Sequence, residues 1–167
     1  MFIDYNESYE QIREAVKRLC ADFPGEYWRR KDSESGYPTE FVQALVDTGY
    51  LSVLIPEKYG GSGLDLKAAC IILETIHKSG GNGAACHAQM YTMGMILRHG
   101  TKEQKQLWLP HIADGTLRLQ AFGVTEPASG TDTSRITTSA VRDGDDYIVN
   151  GQKIWTSRVG HSDLMIL

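Results

Sequence analysis

Cysteine is scarce in this 167-residue sequence and long apolar runs are absent, and each shortage argues against a class of protein. The three cysteines, Cys20, Cys70 and Cys86, are an odd number without CxxC spacing, which favours small core side chains in a reducing compartment over a disulfide framework. The first residues are polar and acidic, with neither a signal peptide nor an Arg-rich transit pattern. Because no apolar stretch approaches the roughly 20 residues that cross a bilayer, we expect a cytoplasmic protein with no membrane partner.

An excess of basic residues is also missing. Lys and Arg number 17 against 21 Asp and Glu, so the net charge is −4 and no electrostatic argument favours a nucleic-acid partner. The one basic run, Arg29-Arg30-Lys31, predicts a solvated loop. With 41% hydrophobic and 23% charged residues, the composition is typical of a globular protein and argues against a disordered chain.

Standard catalytic and phosphate-binding motifs are absent as well. The sequence has no GxGxxG, no GxxxxGK[ST], no HExxH and no GxSxG. Its five histidines are dispersed without metal-ligand spacing, which predicts no metal site. Cys86 and His87 are neighbours, but adjacent residues on a helix diverge by about 100°, so we expect no nucleophile–base pair there.

Helical periodicity extends as far as Leu119. Apolar spacing, caps and glycine stops predict five helices: over 8–19, from Pro38 to a stop at Gly49, from Asp65 to Gly80, over 84–97, and from a Thr101–Gln104 capping box through Trp108. The segment 84–97 is apolar nearly all round, which predicts the most buried helix of the chain. The stretch 51–63 is expected to be irregular because of its glycines, with its apolar part packed as a buried loop.

After Leu119 the apolar period becomes 2. Strands are predicted over 136–142, 147–149, 152–155 and 163–167, with turns at 143–146 and at Asn150-Gly151. The residues after Leu119 are too few to form a core of their own, so we expect a chain cut inside a β-domain, its last strand lacking a neighbour. The predicted fold class is α+β: an N-terminal all-α helical bundle over 1–119, followed by an incomplete antiparallel β-domain over 120–167.

Two segments of this second part carry groups suited to a cofactor. The loop at 125–134 has five hydroxyl side chains and can donate hydrogen bonds to a polar ring edge or a phosphate, while Gly130 permits close backbone approach. The segment 150–157 places Trp155 and two hydroxyls at the end of a predicted strand, where the indole can stack on a planar ring. On composition alone, an ordinary Ser/Thr-rich connection and a core tryptophan remain open alternatives.

Taken in order, these motifs resemble the acyl-CoA dehydrogenase family of flavoproteins over essentially the whole chain. The family's first motif, Thr-Glu-Pro followed by a small Gly-containing run and Ser-Asp, corresponds to 125–132. Its second, Asn-Gly-x-Lys leading to Trp and a hydroxyl residue, corresponds to 150–157. Two departures stand out, since Ala128-Ser129 replaces the commoner Gly-Ala and Thr156-Ser157-Arg158 replaces the usual Ile-Thr-Asn.

The resemblance implies FAD as cofactor and an acyl-CoA thioester as substrate. In the family a glutamate removes the α-proton, and the β-hydrogen leaves as hydride to the flavin. Carried over residue by residue, the resemblance assigns the flavin contacts as follows: Phe122, Val124 and Thr125 along the ring, Thr131 near both the cofactor and the CoA, Trp155 as an aromatic wall, and Ser157 beside the reactive end. It also places His87, Met90 and Tyr91 near the fatty-acyl tail, with ordinary core residues as the alternative.

No catalytic residue is assigned to this chain, because the resemblance places the family's glutamate beyond Leu167. Glu126 is expected to stabilise its loop instead. The resemblance implies that the chain alone is inactive, and that the full-length protein is a homo-oligomer passing electrons to an acceptor such as an electron-transfer flavoprotein. The alternatives are an acyl-CoA oxidase, a reduced-flavin-dependent monooxygenase and, from a different class, a non-catalytic interaction module.

Overall fold

The computed structural model describes residues 7–167, and residues 1–6, which carry the polar start of the sequence, lie outside it. Residues 7–167 form six α-helices: α1 (Glu7–Ala21), α2 (Gly25–Ser33), α3 (Thr39–Asp47), α4 (Leu66–Lys78), α5 (Ala84–His99) and α6 (Lys102–Ala113). They also form four short strands: β1 (Ala121–Phe122), β2 (Ser139–Asp143), β3 (Asp146–Asn150) and β4 (Met165–Ile166). The predicted α+β class is confirmed.

Capping chemistry sets several predicted helix ends. At the start of α6, the Thr101 hydroxyl accepts from the Gln104 N–H at 3.2 Å, and the Gln104 side chain accepts from the Thr101 N–H at 2.9 Å. At the start of α4, Asp65 Oδ1 accepts from the Ala68 N–H at 3.0 Å. Beyond α3, Gly49 has a φ of +75°, a conformation that costs glycine little because it has no Cβ. The predicted capping box and glycine stop are therefore confirmed.

The basic run at 29–31 is part of a helix, so its prediction as a loop is wrong. It occupies α2, a short helix whose only buried residue is Tyr27, which leaves too weak an apolar period to detect. Arg29 and Arg30 are exposed, as the sequence indicated. The start of α2 is held by edge-to-face aromatic packing at centroid separations of 4.9–5.1 Å, among Phe23, Tyr27, Trp28 and Phe41.

A single hydrophobic core joins the helices. α1 packs along α4, and α3 and α5 contribute fully buried side chains such as Leu45 and Met93. The stretch 51–63 packs into the same core through Leu51, Val53 and Ile55, which confirms the predicted buried loop. No helix within 7–167 has the length and apolar character needed to cross a membrane.

The burial of α5 is one-sided. Met93 and Cys86 are fully buried, yet Tyr91 and Met95 on the same helix are each 42% exposed. The helix predicted to be the most buried therefore leaves one face open, along a cavity that it shares with α4. α6 is also longer than expected, because it continues past Pro110 to Ala113. Burial of Leu109 and Ile112 favours this last turn despite the N–H that proline lacks.

The β part contains two separate pairs of strands. β2 and β3 form the predicted antiparallel hairpin, but β1 pairs with β4 in parallel, Ala121 opposite Met165 and Phe122 opposite Ile166. The antiparallel description is therefore only partly confirmed, and the last strand does have a neighbour on one edge. The predicted strand over 152–155 is wrong, since this segment is irregular backbone after the end of β3.

Candidate active site

The structure brings the two predicted cofactor segments side by side. Beyond the parallel pairing of β1 and β4, the Gly123 N–H donates to the Ile166 carbonyl at 2.8 Å. The Ile154 N–H donates to the Thr125 carbonyl at 2.9 Å, and Lys153 Nζ donates to the Val124 carbonyl at 3.0 Å. Val124 and Thr125 therefore lie next to the segment that carries Trp155 and Ser157.

Glu126 stabilises its own loop, the first of these segments, as predicted. Its buried carboxylate accepts from the Thr137 N–H at 2.7 Å and the Thr138 N–H at 2.9 Å, and from both threonine hydroxyls. Lys153 Nζ lies 2.9 Å from the same carboxylate. The hydrogen bonds from Thr138 and Lys153 hold the pKa of Glu126 far below its usual range, so the carboxylate stays ionised. It is therefore a structural acceptor with no proton to exchange near neutral pH.

Trp155 projects outward from a constrained backbone. Its side chain is 85% exposed, and among the described residues it has neither a ring contact nor a hydrogen-bond partner. Its φ of +59° and that of Arg158, +60°, lie in the left-handed region that bulky side chains rarely occupy. Such conformations persist only where the surrounding structure imposes them, and they cluster at functional sites. The two residues bracket Ser157.

The hydroxyl groups of the predicted cofactor residues remain available for a ligand. Among the described residues, the side-chain hydroxyls of Thr125, Thr131 and Ser157 form no hydrogen bond, and Thr131 and Ser157 are exposed. Thr131 belongs to the exposed end of the loop and makes no hydrogen bond to another candidate residue. The donor set fits the polar edge of a flavin ring, and the exposed indole fits its face.

An apolar cavity of about 470 Å³ lies between α4 and α5. His87, Met90 and Tyr91 all line it, together with leucines such as Leu66 and Leu73. The rings of His87 and Tyr91 are 5.1 Å apart. The three residues matched to the fatty-acyl tail therefore share one apolar cavity, of a size typical for small-molecule ligands.

Tyr91 lines this cavity and also contacts Phe122, a predicted flavin residue. Its ring centroid lies 5.9 Å from that of Phe122, the residue of β1 that follows Ala121. Both side chains are partly exposed, at 42% for Tyr91 and 37% for Phe122. One predicted substrate residue, on α5, and one predicted flavin residue, on β1, are therefore in contact.

Cys86 faces away from His87, as expected for adjacent residues on a helix. It is fully buried, its sulfur lies 4.0 Å from Met90 Sδ, and burial raises the pKa of its thiol to about 12. A thiol held in this protonated state is a poor nucleophile. Within residues 7–167, no three His, Cys, Asp or Glu side chains cluster in a way that could hold a metal ion.

Two features of the site were not predicted from the sequence. Lys153 connects the second segment to Val124 and Glu126, and its place in the Asn-Gly-x-Lys motif was the available signal. The second feature is a polar network behind β1: Tyr37 donates to Gln120 at 2.6 Å, and Gln120 donates to Gln89 at 3.3 Å. No local pattern relates these three residues, so sequence reasoning had no means of finding them.

Comparison with known proteins matches two family models to successive parts of the chain. A family model described as "Acyl-CoA dehydrogenase, N-terminal domain" matches residues 6–116, and one described as "Acyl-CoA dehydrogenase, middle domain" matches residues 121–167. The acyl-CoA dehydrogenase FadE12 of Mycobacterium tuberculosis is 32% identical over 163 residues, which cover 97% of this chain and 42% of that protein.

Solved structures agree with this match. An acyl-CoA dehydrogenase from Geobacillus kaustophilus superposes with a TM-score of 0.86 at 32% identity, over 96% of this chain and 42% of its own. The prolyl acyl carrier protein oxidase AnaB gives 0.88 at 28% identity, over 98% and 44%. The chain thus spans less than half the length of these proteins. Both family models, matching in sequence order over nearly all residues, show that the chain belongs to the acyl-CoA dehydrogenase family.

Proposed function

We propose that the protein carrying this chain is a flavin-dependent acyl-CoA dehydrogenase, which introduces an α,β double bond into an acyl-CoA thioester with hydride transfer to FAD. The observation that carries the proposal is the contact between Tyr91 and Phe122, because it sets an apolar cavity against the segment matched to the flavin. We further propose that residues 1–119 form the helical domain and that residues 120–167 begin the β-domain.

The cofactor proposal rests on the residues around β1 and the segment 150–157. Phe122, Val124 and Thr125 would line the ring, with Trp155 as a wall and Ser157 at the reactive end. FAD, when bound, supplies the hydride-accepting ring. The role of this chain is to hold and orient it, and to aim N–H and hydroxyl donors where negative charge develops on reduction.

The substrate proposal rests on the cavity between α4 and α5. His87, Met90 and Tyr91 would contact the fatty-acyl tail, which transfers from water to an apolar surface at a gain of about 0.8 kcal/mol for each buried methylene. Thr131 would face both CoA and cofactor from the exposed loop. The resemblance places the base that removes the α-proton outside these 167 residues, so this chain contributes binding and orientation.

The same resemblance supports further proposals about the whole protein. Electrons would pass to an acceptor such as an electron-transfer flavoprotein, and the protein would be a cytoplasmic homo-oligomer. A non-catalytic module is disfavoured, because packing alone gives no reason to hold an exposed tryptophan in a left-handed conformation beside free hydroxyls.

An oxidase is the second candidate, favoured by the likeness to the prolyl acyl carrier protein oxidase. The two activities differ in how fast the reduced flavin reacts with oxygen. If the protein is reduced by substrate under anaerobic conditions and then mixed with aerated buffer, slow recovery of the 450 nm flavin band supports a dehydrogenase. Recovery within one turnover time supports an oxidase.

The flavin proposal is tested by absorbance spectra after gel filtration. Protein expressed from the complete coding sequence should be yellow, whereas the 167-residue chain should bind FAD weakly or not at all. Each lost hydrogen bond removes about 1 kcal/mol, so four or five missing contacts weaken binding roughly a thousandfold. A complete product that never acquires flavin would refute the proposal. Stoichiometric FAD on the short chain would show that these residues supply most of the binding energy.

A further inference from the structure

Tyr37 lies in the helical part of the chain and contacts one residue before the first cofactor segment and one residue after the second. It lies between α2 and α3, and its hydroxyl donates to Gln120 Oε1 at 2.6 Å. Its ring stacks on that of His161, with centroids 4.3 Å apart and planes tilted by 17°. Gln120 directly precedes β1, and His161 ends the turn that follows Arg158. One side chain therefore contacts the chain beside Phe122 and the chain beyond Ser157.

Gln120, the hydrogen-bond partner of Tyr37, is buried and makes further hydrogen bonds. Gln120 is 1% exposed, its backbone N–H donates to Ser162 Oγ at 3.2 Å, and its side-chain amide donates to Gln89 Oε1 at 3.3 Å. With the amide nitrogen directed to Gln89, the carbonyl oxygen faces Tyr37. A buried acceptor that loses its donor keeps its full desolvation penalty, so removal of the Tyr37 hydroxyl would displace the Gln120 side chain.

The His161 end supports the strained segment. Trp155 and Arg158 both hold left-handed backbone conformations without glycine, and the turn Val159–His161 follows directly. A strained conformation needs contacts that make the alternatives worse. The stack of His161 on Tyr37 is such a contact, because it ties the end of the turn to the helical part.

We propose that Tyr37 is a positioning residue for the flavin site: it sets the backbone that presents Phe122 and Thr125 through Gln120, and the backbone that presents Trp155 and Ser157 through His161. The inference rests on the proposed function, in that these four residues contact flavin. Tyr37 itself does not touch the cofactor and acts only through the two segments.

The test compares Tyr37→Phe with Tyr27→Phe in the protein expressed from its complete coding sequence. Both variants lose a hydrogen-bonded tyrosine hydroxyl. That of Tyr27 donates to Glu40 at 2.9 Å and accepts from the Phe41 N–H at 3.4 Å, but Tyr27 contacts neither cofactor segment. Tyr37→Phe should weaken FAD binding roughly five- to tenfold and shift the flavin absorbance maxima, whereas Tyr27→Phe should do neither. His161→Leu, which removes the stack and keeps the Gln120 hydrogen bond, should also shift the spectrum.

Peptide-resolved amide hydrogen exchange separates failure of this inference from failure of the proposed function. Tyr37→Phe should raise exchange at 118–125 above the level in Tyr27→Phe, with or without flavin. If the protein carries no flavin and exchange still rises there, the proposed function fails, and Tyr37 remains the residue that holds these segments. Equal spectra, equal FAD affinity and equal exchange in the two tyrosine variants would overturn the inference.

Discussion

At the scale of single residues, Glu126 anchors the candidate flavin loop to the rest of the β part. Five donors from Thr137, Thr138 and Lys153 converge on one buried carboxylate, so the loop depends on a charge rather than on apolar packing. Buried ionic groups of this kind are costly to break, because removal of one member leaves the others desolvated and unpaired.

Glu126→Gln should therefore lower the melting temperature, by an amount that depends on pH. The folded pKa of Glu126 lies below its ordinary value of 4.5. The ionised carboxylate contributes its stability above pH 4.5, and the contribution is lost as the pH falls from 4.5 through the folded pKa. The difference in melting temperature between wild type and Glu126→Gln should be largest near pH 7 and shrink below pH 4.5. Glu57→Gln, at an exposed site, is the control. A difference that stays constant with pH would contradict this account.

The acyl cavity makes a second prediction at this scale. His87→Ala and Tyr91→Ala each remove a ring from the lining, which enlarges the cavity and should favour longer acyl chains. One methylene in an apolar pocket is worth about 1–3 kcal/mol, so the ratio of kcat/KM between a long and a short acyl-CoA should change roughly tenfold. His111→Ala, on an exposed histidine that contacts Thr116, is the matched control. Unchanged ratios across acyl lengths would show that these rings do not meet the acyl tail.

At the scale of elements, capping groups and glycines explain which predicted boundaries were confirmed. The capping box of α6 and the stop at Gly49 depend on residues within a few positions of one another, so the sequence contains the whole cause. α2 was missed because it buries only Tyr27. The predicted strand at 152–155 failed because its backbone makes a single bond to the neighbouring segment, from the Ile154 N–H to the Thr125 carbonyl, and no ladder forms.

Two glycines offer a paired test of element packing. A Cβ added at Gly61 would overlap the carbonyl oxygen and Cβ of Ile55 and lie 2.6 Å from the Ser52 oxygen. Gly61→Ala should therefore destabilise the protein by about 1–3 kcal/mol or more. Gly94, inside α5, has nothing within 4 Å of an added Cβ, so Gly94→Ala should stabilise by about 0.5–1 kcal/mol through helix propensity. Urea unfolding midpoints check both, and shifts of the same sign would contradict the pair.

At the scale of the whole molecule, the exposed hairpin differs most from the rest of the structure. Every residue of β2 and β3 is exposed, including Val141 and its cross-strand partner Ile148. The sequence predicted that the last strand, at 163–167, lacks a neighbour, but β4 is paired on one edge with β1. The larger uncovered apolar surface is the hairpin, which makes it the favoured site of self-association.

Val141→Lys should reduce self-association of the 167-residue chain without changing its melting temperature noticeably, because Val141 is 61% exposed and lies outside the core. Sedimentation velocity over a concentration series measures the effect. Leu107→Lys is the control, since Leu107 is also exposed but lies on α6, away from the hairpin. Equal association of wild type and Val141→Lys would show that self-association occurs through another surface.

By itself, the sequence determined what depends on neighbours along the chain: most helices, the caps, the hairpin turn and the motifs that identify the family. Only the tertiary structure decided which of these motifs meet. It paired β1 with β4 in parallel, set Tyr91 against Phe122, and joined Tyr37 to Gln120 across 83 positions. Caps and turns close within about four residues and leave a local pattern, whereas distant contacts are selected by packing of the whole core and leave none.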